Sequence, residues 1–140
     1  MGSELSAAVR ALAMGARVLE RALDDMTLPQ FRVMVLVASS PERANRLAER
    51  AAVSRPSLTG LLDGLEARGW VQRVEVEGDR RGVSLEVTAL GSAALKQAER
   101  AMTKELEEVL RAGSAADRAR VIDGLDALGN AVREHHHARR

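Results

Sequence analysis

The sequence predicts a mainly α-helical chain with one small β-hairpin (α+β), ordered as a winged helix-turn-helix with long helices at both ends. Three observations carry this. Apolar residues recur in steps of three and four through most of the 140 residues. The rhythm changes to steps of two only in "WVQRVEV" and "GVSLEVT", which are rich in β-branched residues. Between those two segments lies a polar Gly-Asp turn, "EGDRR".

The first element is an amphipathic helix from Leu5 to Leu23, with Leu5, Val9, Leu12, Ala16, Leu19 and Leu23 on one side. Thr27 or Leu28 then precedes Pro29, a residue suited to the first turn of a helix, and "PQFRVMVLVA" supplies a mostly apolar second helix. That helix ends before the break at Ser39–Pro41. A short third helix, about Arg43 to Ala51, carries Leu47, Ala48 and Ala51 on one side. A turn at Ala52 and Val53 leads into "SRPSLTGLLDGLEARGW", the fourth helix. The hairpin follows, with strands at Trp70–Val76 and Gly82–Thr88. Helical spacing returns through Leu95, Ala98, Met102, Leu106 and Val109 or Leu110, and Gly113 and Ser114 interrupt it. Ser114 can cap a last helix, in which Val121, Leu125, Leu128 and Val132 make a seam of alternating four- and three-residue steps. The chain divides accordingly into an N-terminal helix (1–27), a central winged segment (28–90) and C-terminal helices (91–140).

Composition narrows the options. One Phe, one Trp and no Tyr among 46% hydrophobic residues imply an aliphatic core. A chain of this size gains from burying further apolar surface against a second copy. The absence of cysteine excludes disulfides, thiolate metal sites and a thiol-oxidation switch. No apolar leader or membrane-length apolar run is visible, so the chain reads as soluble, cytoplasmic and without a membrane partner. A net charge of +1 means that any nucleic-acid binding rests on local placement of charge. Residues 43–81 hold eight arginines (43, 46, 50, 55, 68, 73, 80, 81) against six acids (49, 63, 66, 75, 77, 79), so the acids either lie away from a bound duplex or tie the arginines into place.

The fourth helix has what a major-groove reader needs: small hydroxylated and basic residues in its first turns and an apolar face behind them. Ser54 is a good N-cap, Arg55 and Pro56 occupy the first turn, and Ser57 and Thr59 can donate hydrogen bonds. Leu58, Leu61, Leu62 and Leu65 form the buried face. Gly60 and Gly64 each cost roughly 1 kcal/mol relative to alanine in a helix. For Gly60 two explanations stand: close approach of backbone to a phosphate, or close packing against a neighbouring helix. At the hairpin tip, Asp79-Arg80-Arg81 could place guanidinium groups in an adjacent minor groove. The plainer reading is a capped surface helix and a solvated turn.

The segment from Leu28 to Leu95 resembles the MarR family of bacterial transcription regulators. "LPQFRVMVLVA" is similar to that family's second helix, "RLAERAAVSRPSLTGLLDGLEARGWVQR" to its helix-turn-helix, and "GDRRGVSLEVTALG" to its wing and the helix after it. The resemblance implies a homodimer with N- and C-terminal dimerisation helices, bound to a pseudo-palindromic operator in double-stranded DNA, usually as a repressor. It places Ser54, Arg55, Ser57 and Thr59 on DNA-contacting positions. Arg81 falls on the wing arginine of the minor groove and Asp79 on the acid that supports it, while Arg80 meets phosphate or solvent. Gly60 and Gly64 depart from the pattern, since relatives often carry contacting or basic side chains there.

The resemblance also implies a ligand crevice between the dimer helices and the DNA-binding lobe. Arg10, Met14, Arg17, Phe31 and Met34 are the candidate lining residues, and arginine beside soft apolar neighbours suits a lipophilic or aromatic anion. The alternative is that the methionines fill core and the arginines are solvated. Three consecutive histidines, His135–His137, sit beside Glu134. Consecutive helical residues project in different directions, so a metal site is not expected, and the run reads as a frayed polar tail or a remnant of cloning. No cofactor is expected. No nucleophile–base arrangement or phosphate-binding glycine loop is visible, so an enzyme is not expected either. The competing function is a winged-helix protein-interaction module that has lost DNA binding.

Overall fold

In the computed structural model, which describes residues 1–39, 44–51, 53–75 and 83–138, the N-terminal segment forms helix α1 (Gly2–Ala22). Helix α2 (Leu28–Ser39) begins on a reciprocal capping box. There the Gln30 N–H donates to Thr27 Oγ1 at 3.2 Å and the Thr27 N–H donates to Gln30 Oε1 at 2.9 Å. Helices α3 (Ala44–Ala51) and α4 (Arg55–Ala67) follow, then strands β1 (Val71–Glu75) and β2 (Val83–Val87). The strands pair antiparallel, from Val71 opposite Val87 to Glu75 opposite Val83. Helix α5 (Ala89–Leu110) leads to α6 (Ala115–Ala138). Ser114 caps α6, its Oγ accepting the Asp117 N–H at 3.1 Å.

One aliphatic core holds the middle of the chain. Val33, Met34 and Val37 of α2, Leu47 and Ala48 of α3, and Leu58, Leu62 and Leu65 of α4 meet Val71 and Leu85 of the hairpin. Met26, Trp70 and Ala98 of α5 close the same cluster. Burying an aliphatic side chain of this kind contributes about 1.5–3 kcal/mol. The core thus fixes α4 as a rigid element behind its exposed first turns.

The hairpin's direction is set where α4 ends. Gly69 takes φ +71°, the left-handed conformation in which a helix stops most readily. The Gly69 N–H then donates to the Glu66 carbonyl at 2.9 Å and the Trp70 N–H to the Leu65 carbonyl at 3.0 Å, with Leu65 and Trp70 both buried. This is a complete Schellman stop with its hydrophobic contact. It also explains why β1 begins at Val71 and not at Trp70. At the far end Thr88 leaves the ladder because its Oγ1 accepts the Gly91 N–H at 3.0 Å and caps α5. The Thr88 N–H donates to the Trp70 carbonyl at 3.0 Å, so α5 starts directly upon the end of α4.

The ends of the chain stand outside this core. Helix α1 packs on α5, and along it only Ala16, Val18, Leu19 and Ala22 are half-buried. Neither α1 nor α6 contains a buried residue. The frayed tail expected at His135–His137 is corrected: α6 continues to Ala138, and the three histidines occupy its last turn. Histidine N–H groups in a last turn can donate to the carbonyls left unpaired at a helix C-terminus, which favours continued helix.

Candidate nucleic-acid interface

Ser54 stops the chain from entering α4 early and satisfies the helix start. Its φ and ψ of −68° and 157° are extended, and its Oγ accepts the Ser57 N–H at 3.3 Å. The Ser54 hydroxyl donates to Ser57 Oγ at 2.9 Å, which leaves the Ser57 hydroxyl proton directed to other acceptors. The Thr59 hydroxyl donates to the Arg55 carbonyl at 3.0 Å, so it presents lone pairs outward. Ser54, Arg55, Ser57, Thr59 and Gly60 are all exposed, while Leu58, Leu62 and Leu65 behind them are buried. Among the described residues Arg55 has no ion-pair partner. An unpaired guanidinium at the positive end of a helix forms a local site for anions such as phosphate.

The other arginines nearby are engaged. Arg73 of β1 reaches back to α4, with Nε 3.2 Å from Glu66 Oε1 and Nη2 3.3 Å from Asp63 Oδ1. Arg68 lies over the Trp70 ring, 4.4 Å from its centroid, and 3.8 Å from Asp25 Oδ2. Exposed pairs of this kind stabilise by about 0–1 kcal/mol, so their effect is chiefly to fix angles between elements. Asp63 and Glu66 thus hold an arginine in place, one of the two roles open to the acids of this region. Sequence reading singled out neither Arg73 nor Trp70 as a positioning residue. Their partners depend on how α4 and β1 cross. Asp79, Arg80 and Arg81 lie outside the described residues.

Gly60 has open space around it: no atom outside its own stretch of helix would come within 4 Å of an added Cβ. Packing against a neighbouring helix of the same chain therefore does not explain this glycine. Gly60→Ala is expected to stabilise the isolated protein by roughly 1 kcal/mol, read as a higher melting temperature. If backbone approach to phosphate is the glycine's use, the same variant lowers operator affinity.

The five residues expected to line a ligand crevice are not brought together. Met34 has no exposed surface and belongs to the core, with Phe31 packed against it. Arg10 and Met14 are exposed on α1, and Arg17 pairs with Glu20 at 3.2 Å. Two cavities do open at the bend between α1 and α2. One of about 100 Å³ lies between that bend, Trp70 and the alanines of α5. The other, about 480 Å³, lies between the bend and Leu61 of α4. None of the five lines either. Among the described residues no cluster of three His, Asp or Glu could hold a metal ion, and no helix is long and apolar enough to cross a membrane.

Comparison with known proteins agrees with this geometry. The MarR-family profile matches residues 24–82, which run from the α1–α2 bend to the residue before β2. The homoprotocatechuate degradative operon repressor of Escherichia coli is 30% identical over 114 residues, covering 79% of this chain and 77% of that protein. The chain belongs to the MarR family. As a family member it is a winged-helix, DNA-binding transcriptional regulator. The crystal structure of wild-type MarR from E. coli in its apo form superposes with a TM-score of 0.74 at 26% identity, over 85% of this chain and 94% of that one. The Mycobacterium tuberculosis MarR-family protein RV2887, in complex with salicylic acid, gives 0.71 at 27% identity, over 86% and 91%.

Proposed function

We propose that this MarR-family protein is a sequence-specific repressor that binds a pseudo-palindromic operator as a homodimer, with a small ligand relieving repression. Helix α4 enters the major groove with Ser54, Arg55, Ser57, Thr59 and Gly60 toward the duplex. Arg81, supported by Asp79, enters the minor groove from the wing, and Arg80 meets phosphate. The observation that carries this is the first two turns of α4, where hydroxyls and an unpaired Arg55 face outward from a helix locked by three buried leucines.

Support for two copies comes from the chain's ends. Val121, Leu125, Leu128 and Val132 of α6 are each 40–46% exposed and share one side of the helix. Pairing through such faces would set the distance between two α4 helices, and half-site spacing is a strict geometric demand. Support for ligand relief is the cavity that opens against Leu61 of α4.

The test is fluorescence anisotropy with DNA from upstream of the protein's own gene, across a salt series. Binding is expected to weaken steeply with salt, because phosphate neutralisation releases counterions. Arg55→Ala is expected to cost roughly 1–3 kcal/mol if its side chain reads a base edge, or to lower the salt slope by about one if it meets phosphate. Salt-insensitive or absent binding would instead favour a protein dock.

A further inference from the structure

The cavity of about 480 Å³ has a composition that selects its occupant. Its walls are apolar: Leu23 at the end of α1, Met26 in the bend, Leu28 and Pro29 opening α2, and Leu61 from α4. Its size falls within the roughly 300–1,000 Å³ of small-molecule sites. The ionisable residues on its lining are Glu20 and Asp24, both acids, and no basic side chain lines it. Glu20 shares its charge with Arg17, whereas Asp24 has no ion-pair partner among the described residues.

From this lining we infer that the cavity binds a lipophilic monocation, an apolar or aromatic body carrying an ammonium or phosphonium charge. The inference deepens the proposed ligand response and rests on it for its regulatory meaning. An anion placed here would face the unpaired Asp24 carboxylate with no basic side chain to receive it. The same carboxylate attracts a cation, and at short range one such charge changes affinity by about tenfold in either direction. The apolar walls favour a body that leaves water and exclude a small hydrated ion. The arginines that suggested an anion, Arg10 and Arg17, do not line the cavity.

Position gives the site its consequence. One wall is the bend at the end of α1 and the other is Leu61, the residue after Gly60 on the helix proposed to read DNA. An occupant wedged there binds one separation of arm and reading helix better than another. It can shift operator affinity only by that difference, and bound operator must shift cation affinity by the same factor.

Isothermal titration calorimetry on the full chain, with tetraphenylphosphonium and tetraphenylborate as probes, separates charge from shape because the two ions match in form and differ in sign. The phosphonium is expected to bind once per chain and at least about tenfold tighter than the borate. Asp24→Asn, a change in an exposed bend, lowers phosphonium affinity about tenfold, and Arg17→Gln raises it about threefold by freeing Glu20. Saturating phosphonium weakens operator binding in anisotropy. Equal or tighter binding of the borate, or an Asp24→Asn variant that holds the phosphonium unchanged, overturns the cation site. A bound phosphonium that leaves operator affinity unaltered overturns its coupling to α4. Failure to bind operator in the absence of either ion counts against the proposed repressor alone, since calorimetry reads the cation preference without DNA.

Discussion

Gly91→Ala is expected to lower the melting temperature by roughly 10 °C, the largest stability loss of any alanine substitution at the described glycines. Helix α5 begins against the backbone at the end of α4, and the Thr88 N–H donates to the Trp70 carbonyl at 3.0 Å. A Cβ built on Gly91 would overlap the Trp70 carbonyl oxygen and stand 2.7 Å from its carbon and 2.9 Å from its Cα. These are main-chain atoms, so no rotamer change relieves the overlap. Either the Thr88 cap opens or the Gly69–Trp70 stop is displaced, and both anchor the hairpin. Overpacking of this kind costs about 3 kcal/mol or more, which for a domain of this size corresponds to the stated shift. The contrast with Gly60→Ala is the control: the same substitution in open helix is expected to stabilise. Thermal melts of the two variants that moved in the same direction would refute the close approach at Gly91.

That contrast marks what periodicity conveys and what it does not. The order of elements was legible because burial on one face repeats with the period of the backbone, as Leu58, Leu62 and Leu65 do in α4. Two helix starts were legible from their capping hydroxyls, Ser54 and Ser114, each one residue before its helix, whereas Thr88, which caps α5, was read as the end of a strand. Gly91 was not legible, because its neighbour Trp70 is brought to it by the hairpin. Nor was the Arg73 clasp on Asp63 and Glu66, which depends on the crossing of α4 and β1. The residues expected at the ligand crevice were grouped by chemistry and not by period. Arg10, Met14 and Met34 share a plausible chemistry, yet Met34 faces the core while Arg10 and Met14 face outward from a different helix. Two of the residues that do line the cavity, Asp24 and Met26, sit in a bend that has no period to read.

Replacing Leu125 and Leu128 together by glutamate is expected to convert the protein to a monomer in sedimentation and to weaken operator binding by about 10²–10⁴-fold. Helix α6 spans 24 residues and buries none of them within its own chain. A helix with so little support is marginal in water, and its stability is expected to come from packing its apolar side. That side is the seam of Val121, Leu125, Leu128 and Val132, whose four–three–four spacing fits a helix–helix contact. Carboxylates at its two central positions would be buried in pairs on association, at a cost that apolar contact at the ends cannot offset. The core contains no α6 residue, so the double variant should keep the winged region folded and its melting largely intact. This separates the outcome from simple unfolding. Each freed chain still presents Ser54, Arg55 and Ser57, and retains the weak, salt-sensitive affinity of one reading helix. What it loses is the second contact made at fixed distance, which turns two modest affinities into one strong one. A double variant that sediments as a dimer, or that grips the palindrome as the parent does, would show that α6 does not set the spacing of the two heads.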